Sequence, residues 1–277
     1  MTSAIGAWPS PNYRLMIDIH SHILPGLDDG ARSWDMTLEM CRLAIRDGIT
    51  HIVATPHADD KYAYSRDHVR EVIGELDAKI GEQLALSIGC DFHLSYENIE
   101  DAIIHPHHYT ISAKQYLLVE LSDYGIPPQV SDGLFKLQAA GVVPIITHPE
   151  RNAILQRRPE RVLEWVDAGC LVQVTASAIT GFWGDTAKRV AMWLLDHAAV
   201  HVLASDAHDD KNRPPILSEA RDAVSKRFGV DVARALVLDN PAAIVAGQPL
   251  PFSGSTQPLN PEAREHRKRV VRHSSAS

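Results

Sequence analysis

Short apolar runs alternate with longer periodic stretches along this chain, and polar residues gather where each short run stops. Leu15, Ile17 and Ile19 alternate with Met16 and Asp18, the two-residue period of a first strand. Ser33 then precedes an expected helix over 34–47, with Met36, Met40, Leu43 and Ala44 on one face and Gly48 as its stop. A second strand is predicted over 49–54, and Ser65 caps a helix over 66–80 whose stripe is Val69, Ile73, Leu76 and Ile80. A third strand over 84–91 leads into an irregular segment with a short helix near 96–103. Four further strands follow, over 117–120, 143–147, 171–174 and 200–204. Helices over 130–140, 159–168 and 185–197 separate them, and helices over 216–227 and 230–238 with a last turn at 241–246 close the chain.

Seven strands alternating with helices define an α/β fold on a parallel sheet, either a closed barrel or a doubly wound one. The strands are short and nearly continuously apolar, as in a sheet covered on both faces. A chain of 277 residues is one large domain or two small ones. We expect an N-terminal extension over 1–13, a folded domain over 14–252 and a tail from 253 to 277 that is rich in Ser, Pro, Arg and Lys and has no apolar period. The tail carries a basic run (Arg264, Arg267, Lys268, Arg269, Arg272) on an otherwise acidic chain, read either as a solvated tail or as a weak contact with an anionic surface or partner.

A net charge of −8 argues against a general nucleic-acid binder. No apolar run approaches the ~18 residues of a membrane span, and residues 1–8 do not read as a signal peptide. Cys41, Cys90 and Cys170 are too few and too scattered for a disulfide framework, so a reducing cytoplasm is the expectation. None of them has an arginine six residues on, so the thiolate loop of cysteine phosphatases is absent.

The candidate chemistry lies at the strand ends. His20 and His22 stand two apart at the end of the first strand and so project to the same face. Asp29 can return to them from the loop Pro25-Gly26-Leu27-Asp28-Asp29-Gly30. His57 follows the second strand, Asp91 ends the third, Glu120 ends the fourth, His148 ends the fifth, and Asp206 and His208 follow the seventh. Singly, each reads as a loop histidine, a helix cap or an ion-paired carboxylate. Together they fall on the C-terminal edge of a parallel sheet, where catalytic groups collect. Of the fifteen histidines, His51, His68, His105, His107, His108, His197, His201, His266 and His273 read instead as surface residues.

Imidazole and carboxylate together suit divalent transition metals, and nine such residues exceed what one ion takes. Two or three ions, bridged by carboxylates, is the natural count, and clustered ions suit phosphoester hydrolysis. Arg151, three residues beyond His148, and Arg213, beyond the Asp206/His208 pair, fit as phosphate ligands, since guanidinium grips phosphate oxygens bidentately.

These residues, in this order, resemble the polymerase and histidinol phosphatase (PHP) superfamily. More closely, the chain resembles the metal-dependent protein-tyrosine phosphatases of capsule and exopolysaccharide operons, the CpsB/CapC family. The resemblance spans roughly 16–246. It rests on Met-Ile-Asp-Ile-His-Ser-His at 16–22, Leu-Asp-Asp-Gly at 27–30, Ala-Thr-Pro-His at 54–57 and Val-Glu-Leu-Ser at 119–122. Thr-His-Pro-Glu-Arg at 147–151, Leu-Ala-Ser-Asp-Ala-His at 203–208, Asn-Arg-Pro-Pro at 212–215 and Asp-Asn-Pro at 239–241 complete it.

The resemblance implies a distorted (β/α)7 barrel of PHP type with a trinuclear site for manganese, iron or zinc. It places metal ligands at His20, His22, Asp29, His57, Asp91, Glu120, His148, Asp206 and His208, and catalytic, phosphate-binding arginines at Arg151 and Arg213. Asp91 departs from the pattern, which typically has Glu there, one methylene longer. The implied substrate is a phosphotyrosine protein, an autophosphorylating polysaccharide-export kinase; oligomeric state is left open. The nearest alternative is a small-molecule PHP phosphatase such as a histidinol phosphatase. A PHP-type exonuclease is disfavoured by the acidic charge, since a strand-tracking groove is basic. A non-catalytic scaffold is disfavoured by the intact ligand set and both arginines.

Overall fold

The structure, a computed structural model, describes residues 15–253. The expected extension over 1–13 lies outside the described residues, as does the basic tail beyond Ser253. The strands are β1 (Met16–Ser21), β2 (Ile49–Ala54), β3 (His57–Ala58), β4 (Ala85–Ile88), β5 (Asp91–His93), β6 (Tyr116–Glu120), β7 (Val143–Thr147), β8 (Leu171–Thr175) and β9 (Val202–Ala204). The helices are α1 (Trp34–Asp47), α2 (Arg66–Ile80), α3 (Tyr96–Ile104), α4 (Pro106–Tyr109), α5 (Gln129–Ala139), α6 (Glu160–Asp167), α7 (Ala176–Thr180), α8 (Gly184–Asp196), α9 (Ser218–Phe228), α10 (Val230–Arg234) and α11 (Asn240–Ala246). All strand pairs are parallel, so the fold is α/β, as expected.

The strands form a three-stranded sheet, β1-β2-β4, and a six-stranded sheet, β3-β5-β6-β7-β8-β9. Two bends separate the sheets. One, at Thr55-Pro56, parts β2 from β3, since proline supplies no N–H to the ladder. The other, at Gly89-Cys90, parts β4 from β5 and corrects the expected single strand over 84–91: Asp91 opens β5 rather than ending a longer strand. A side chain at 89 would meet Val53, Thr55 and Ile111 at 2.9–3.2 Å, so only glycine allows that approach. The bends run in step: Gly89 N–H donates to Ala54 O (2.9 Å) and Asp91 N–H to Pro56 O (3.1 Å). The outer edges of the two sheets also meet. Ser21 and Ala207 form a parallel bridge, His22 N–H donates to Ala207 O (2.8 Å), and Asp206 N–H donates to His20 O (2.9 Å).

The helices form where caps and periodicity place them. Ser33 and Ser65 accept from Met36 N–H and His68 N–H, and Gly48 stops α1 in a left-handed conformation. The main core lies between strands and helices, with Met40, Leu76, Phe92 and Leu194 fully buried. A second core draws mainly on the strands and includes Ile19, Val53, Leu118 and Ile145. Further departures from the sequence reading are local, among them the short β3 and α4. The helix α7 directly follows β8, and the segment 235–239 winds as a π-helix between α10 and α11. His197 and His201, read as surface residues, are buried: His201 Nδ1 accepts from Val172 N–H, and His197 Nδ1 bonds Trp193 O.

Candidate metal centre

Nine of the eleven residues singled out from the sequence lie at the ends of parallel strands or in the loops that follow, while His57 and Asp91 open β3 and β5 just past the bends that end β2 and β4, and their side chains still meet the others. In β1 the two-residue period turns Asp18 and His20 the same way, and His22 continues that row just beyond the strand. The two Nε2 atoms of His20 and His22 approach to 3.3 Å. Asp29 reaches the row because Gly30 lets its loop lie against His22, where any Cβ would collide with the His22 carbonyl. His148 and Asp206 adopt left-handed backbone, φ 33° and 51°, uncommon for residues with a Cβ. These turns, immediately after β7 and β9, aim both side chains back over the strand ends.

Three groups of potential ligand atoms overlap. His22, Asp29, His57 and His208 form one, His20, His22 and Asp91 a second, and His57, Asp91 and Glu120 a third, each with its donors within 4.8 Å of one another. His148 and Asp206 adjoin them: His148 Nε2 is 3.6 Å from Glu120 Oε1, and Asp206 Oδ1 is 3.5 Å from the Nε2 atoms of His20 and His22. Ligand atoms about 2.1 Å from one ion at tetrahedral or octahedral angles stand roughly 3.0–3.4 Å apart. The pairs His20–Asp91, His57–Asp91, His57–Asp29 and His208–Asp29 all measure 3.3 Å.

Asp91 is the sharpest test of whether cations fit. It is fully buried, yet neither of its oxygens has a hydrogen-bond partner, and His57 Nδ1 beside it has none either. A buried carboxylate that faces imidazole nitrogens 3.3 Å away and makes no hydrogen bond is costly, and buried charges pair or coordinate metals. Divalent ions among these atoms would meet that demand.

The electrostatics agrees. Burial and the neighbouring Asp91 push Glu120 up to about 8. Burial opposes charge on His20, but Asp91 and Asp206 outweigh it and raise its pKa. Burial holds His148 down to about 3 and His208 to about 4, leaving both as the neutral imidazoles that bind metals. Crowded carboxylates share too few cations, and added positive charge relieves them.

The two arginines converge on Asp206. Its Oδ2 accepts from Arg151 Nη1 and from Arg213 Nη2, while Oδ1 faces the imidazoles. Burial opposes ionisation of Asp206, but His20, Arg151 and Arg213 hold its carboxyl well below the usual range. Loop turns set both arginines: Arg151 N–H donates to His148 O (2.9 Å), and Asp209 Oδ1 accepts from the backbone N–H of Lys211 (2.7 Å) and Arg213 (3.2 Å).

Several supporting residues were not singled out from the sequence. Asp28 Oδ2 bonds His22 Nδ1 at 2.6 Å and accepts from His57 N–H at 3.1 Å. Gln173 Oε1 bonds His20 Nδ1 at 3.1 Å. Such partners fix ring orientation and tautomer at metal sites. Asp18 accepts from Ser205 N–H and Oγ–H, tying β1 to the loop that carries Asp206. Trp183 lies under both guanidinium groups. Signals for two of these were present: Gln173 interrupts the apolar run Leu-Val-Gln-Val-Thr, and Asp18 shares the parity of His20 in β1.

Comparison with known proteins gives a consistent picture. The chain is 32% identical over 248 residues to the tyrosine-protein phosphatase YwqE of Bacillus subtilis, covering 88% of this chain and 96% of that one. It is 30% identical over 246 residues to the tyrosine-protein phosphatase CpsB of Streptococcus pneumoniae, covering 84% and 99%. Its fold matches, with TM-score 0.79 and 30% identity over 85% of this chain and 96% of the other, a chain from the crystal structures of YwqE from Bacillus subtilis and CpsB from Streptococcus pneumoniae, unique metal-dependent tyrosine phosphatases. The family model for capsular polysaccharide synthesis, CpsB/CapC, matches residues 16–246, and the chain belongs to that family.

Proposed function

We propose that this protein is a metal-dependent protein-tyrosine phosphatase that removes phosphate from a polysaccharide-export tyrosine kinase and so regulates capsule or exopolysaccharide synthesis. The observation that carries the reading is the divided role of Asp206. One oxygen faces the histidine and carboxylate cluster and the other holds two arginines, so a metal-ligand set and an oxyanion clamp share an edge. The family membership and the names of the relatives support the same reaction.

In this reading His20, His22, Asp29, His57, Asp91, Glu120, His148, Asp206 and His208 hold two or three divalent ions, manganese, iron or zinc. When bound, such ions activate water and share the charge of the phosphoryl oxygens. Arg151 and Arg213 bind the non-bridging oxygens of the phosphoryl group and orient it for in-line displacement. Asp28 and Gln173 hold the imidazoles of His22 and His20 in fixed orientation. A phenolate leaving group, with pKa about 10, departs with little help from a general acid.

The proposal extends to the architecture. The bonds joining Ser21 and His22 to Ala207, and Asp206 to His20, support closure of the two sheets into a distorted seven-strand barrel of PHP type spanning the domain over 14–252. Among the described residues no helix is long and apolar enough to cross a membrane. Three buried free cysteines support a reducing cytoplasm as the compartment of this proposal.

The deciding experiment offers manganese-loaded protein a phosphotyrosine peptide and histidinol phosphate side by side, with a chelated control. Chelator-sensitive release from the peptide is the expected result. Release mainly from histidinol phosphate moves the protein to small-molecule chemistry, and release from neither, with metal bound, overturns the reading.

A further inference from the structure

The aromatic residue beneath the arginines has a role of its own. The Arg151 guanidinium carbon lies 3.9 Å from the Trp183 ring centroid and that of Arg213 lies 5.3 Å from it, so one indole supports both cations. The indole is itself fixed. Its Nε1–H donates to Ser177 Oγ at 2.9 Å, and its body packs against the main core. The backbone on either side is set by Gly181 (φ 99°) and Gly184 (φ 86°), a conformation L side chains rarely adopt. Trp183 therefore sits at a defined position between α7 and α8 rather than on a free loop tip.

Two guanidinium groups brought together repel each other. Asp206 Oδ2 offsets that repulsion from one side, and the negative π-face of the indole offsets it from another. When a phosphoryl group binds, its oxygens compete with Asp206 for the same Nη donors, whereas the indole stacking does not use those donors. Trp183 can thus hold the planes of both arginines while their hydrogen bonds change partners.

We propose that Trp183 is the positioning residue of the phosphate clamp, keeping Arg151 and Arg213 in register to grip one phosphoryl group. This rests on the phosphatase reading above, and the test separates the two. Trp183→Ala, Trp183→Phe and Ser177→Ala are compared with the unchanged protein, all manganese-loaded, with metal content and thermal melting measured first. Each is assayed for kcat and KM on a phosphotyrosine peptide and for competitive inhibition by inorganic phosphate.

Misplaced positioning groups cost up to about a hundredfold. Trp183→Ala is expected to lower kcat/KM by about ten- to a hundredfold and to weaken inhibition by phosphate in parallel, with metal content and melting preserved. Trp183→Phe, which keeps a stacking face, restores most of the loss. Ser177→Ala, which frees the indole edge, shows a smaller loss in the same direction. Unchanged kcat/KM and phosphate inhibition in Trp183→Ala overturn the inference and leave the phosphatase reading standing. So does a loss that tracks metal content. Where Trp183→Ala fails to fold, Ser177→Ala decides: unchanged phosphate inhibition there overturns the inference. An unchanged protein that releases phosphate from no substrate overturns both.

Discussion

Arg213 Nη2 lies 2.6 Å from Oδ2 of Asp206 and also donates to the Asp206 carbonyl oxygen at 3.1 Å. The contact grips a residue in left-handed backbone and joins the arginine pair to the imidazole cluster. A single carboxylate thereby sets the spacing between the imidazole cluster and the arginine pair.

Removing either arginine should separate catalysis from metal binding. Arg213→Ala and Arg151→Ala are each expected to lower kcat/KM on a phosphotyrosine peptide on the order of 10²–10³-fold, the scale for losing one preorganised oxyanion donor. Metal content, measured by elemental analysis, should stay at the level of the unchanged protein. Parallel loss of metal and activity would instead assign the arginines a structural task.

Gln173 touches His20 rather than any candidate ion, so its effect should appear in affinity. Gln173→Leu keeps the side-chain volume and removes the acceptor at His20 Nδ1. Weakening of manganese binding by roughly 10–100-fold is expected, read by competition with a chromogenic chelator.

Metal should stabilise the fold as well as enable the reaction. The buried Asp91 carboxylate makes no hydrogen bond, and a bound cation would give its oxygens a coordination bond available only in the native state. Manganese at a hundred times its Kd should add about 2.7 kcal/mol, seen as a rise in melting temperature that a chelator reverses. An unchanged melting curve across that titration would count against a buried site.

Stability should change at a core position that supplies no candidate ligand, without changing the chemistry. Leu76 on α2 is fully buried in the main core and is not itself a candidate ligand. Leu76→Ala should cost about 2–5 kcal/mol in urea unfolding, with kcat of the folded fraction preserved at 25 °C.

His51 supplies a pH test outside the metal cluster. Burial lowers its pKa below the ordinary value, and its Nε2 bonds Ser87 Oγ at 2.8 Å. The unfolded chain therefore binds a proton at His51 that the native protein resists, so this residue makes stability rise with pH through the window just below 6.5 and removes that contribution as pH falls. His51→Gln should flatten the rise in melting temperature between pH 5 and pH 7.5. An identical slope in both proteins would mean that burial at this position is without effect on protonation.

Much of the site was legible because a parallel strand exposes its chemistry at a fixed end. The row His20–His22 follows from a two-residue period, and a polar residue after an apolar run marks a strand terminus whatever the neighbouring strands are. Asp91 was legible as a member of the candidate cluster but not as the opening of β5. The bend at Gly89-Cys90 answers a bend at Thr55-Pro56, more than thirty residues away in sequence. Asp28 was overshadowed by Asp29, because only the folded loop shows which of two adjacent carboxylates turns to His22 Nδ1 and which to His57 Nε2.

The sequence by itself determined the α/β alternation, the strand ends, and the histidines, carboxylates and arginines placed there. Those follow from local periodicity and from residue chemistry, which need no knowledge of neighbours. Only the tertiary structure decided that Asp206 divides its oxygens between imidazoles and arginines, that Gln173 orients His20, and that Trp183 lies beneath both guanidinium groups. Each of these relations joins segments that are far apart along the chain or turned by a left-handed residue. Their geometry is set by how strands register and loops fold back, which no local pattern encodes.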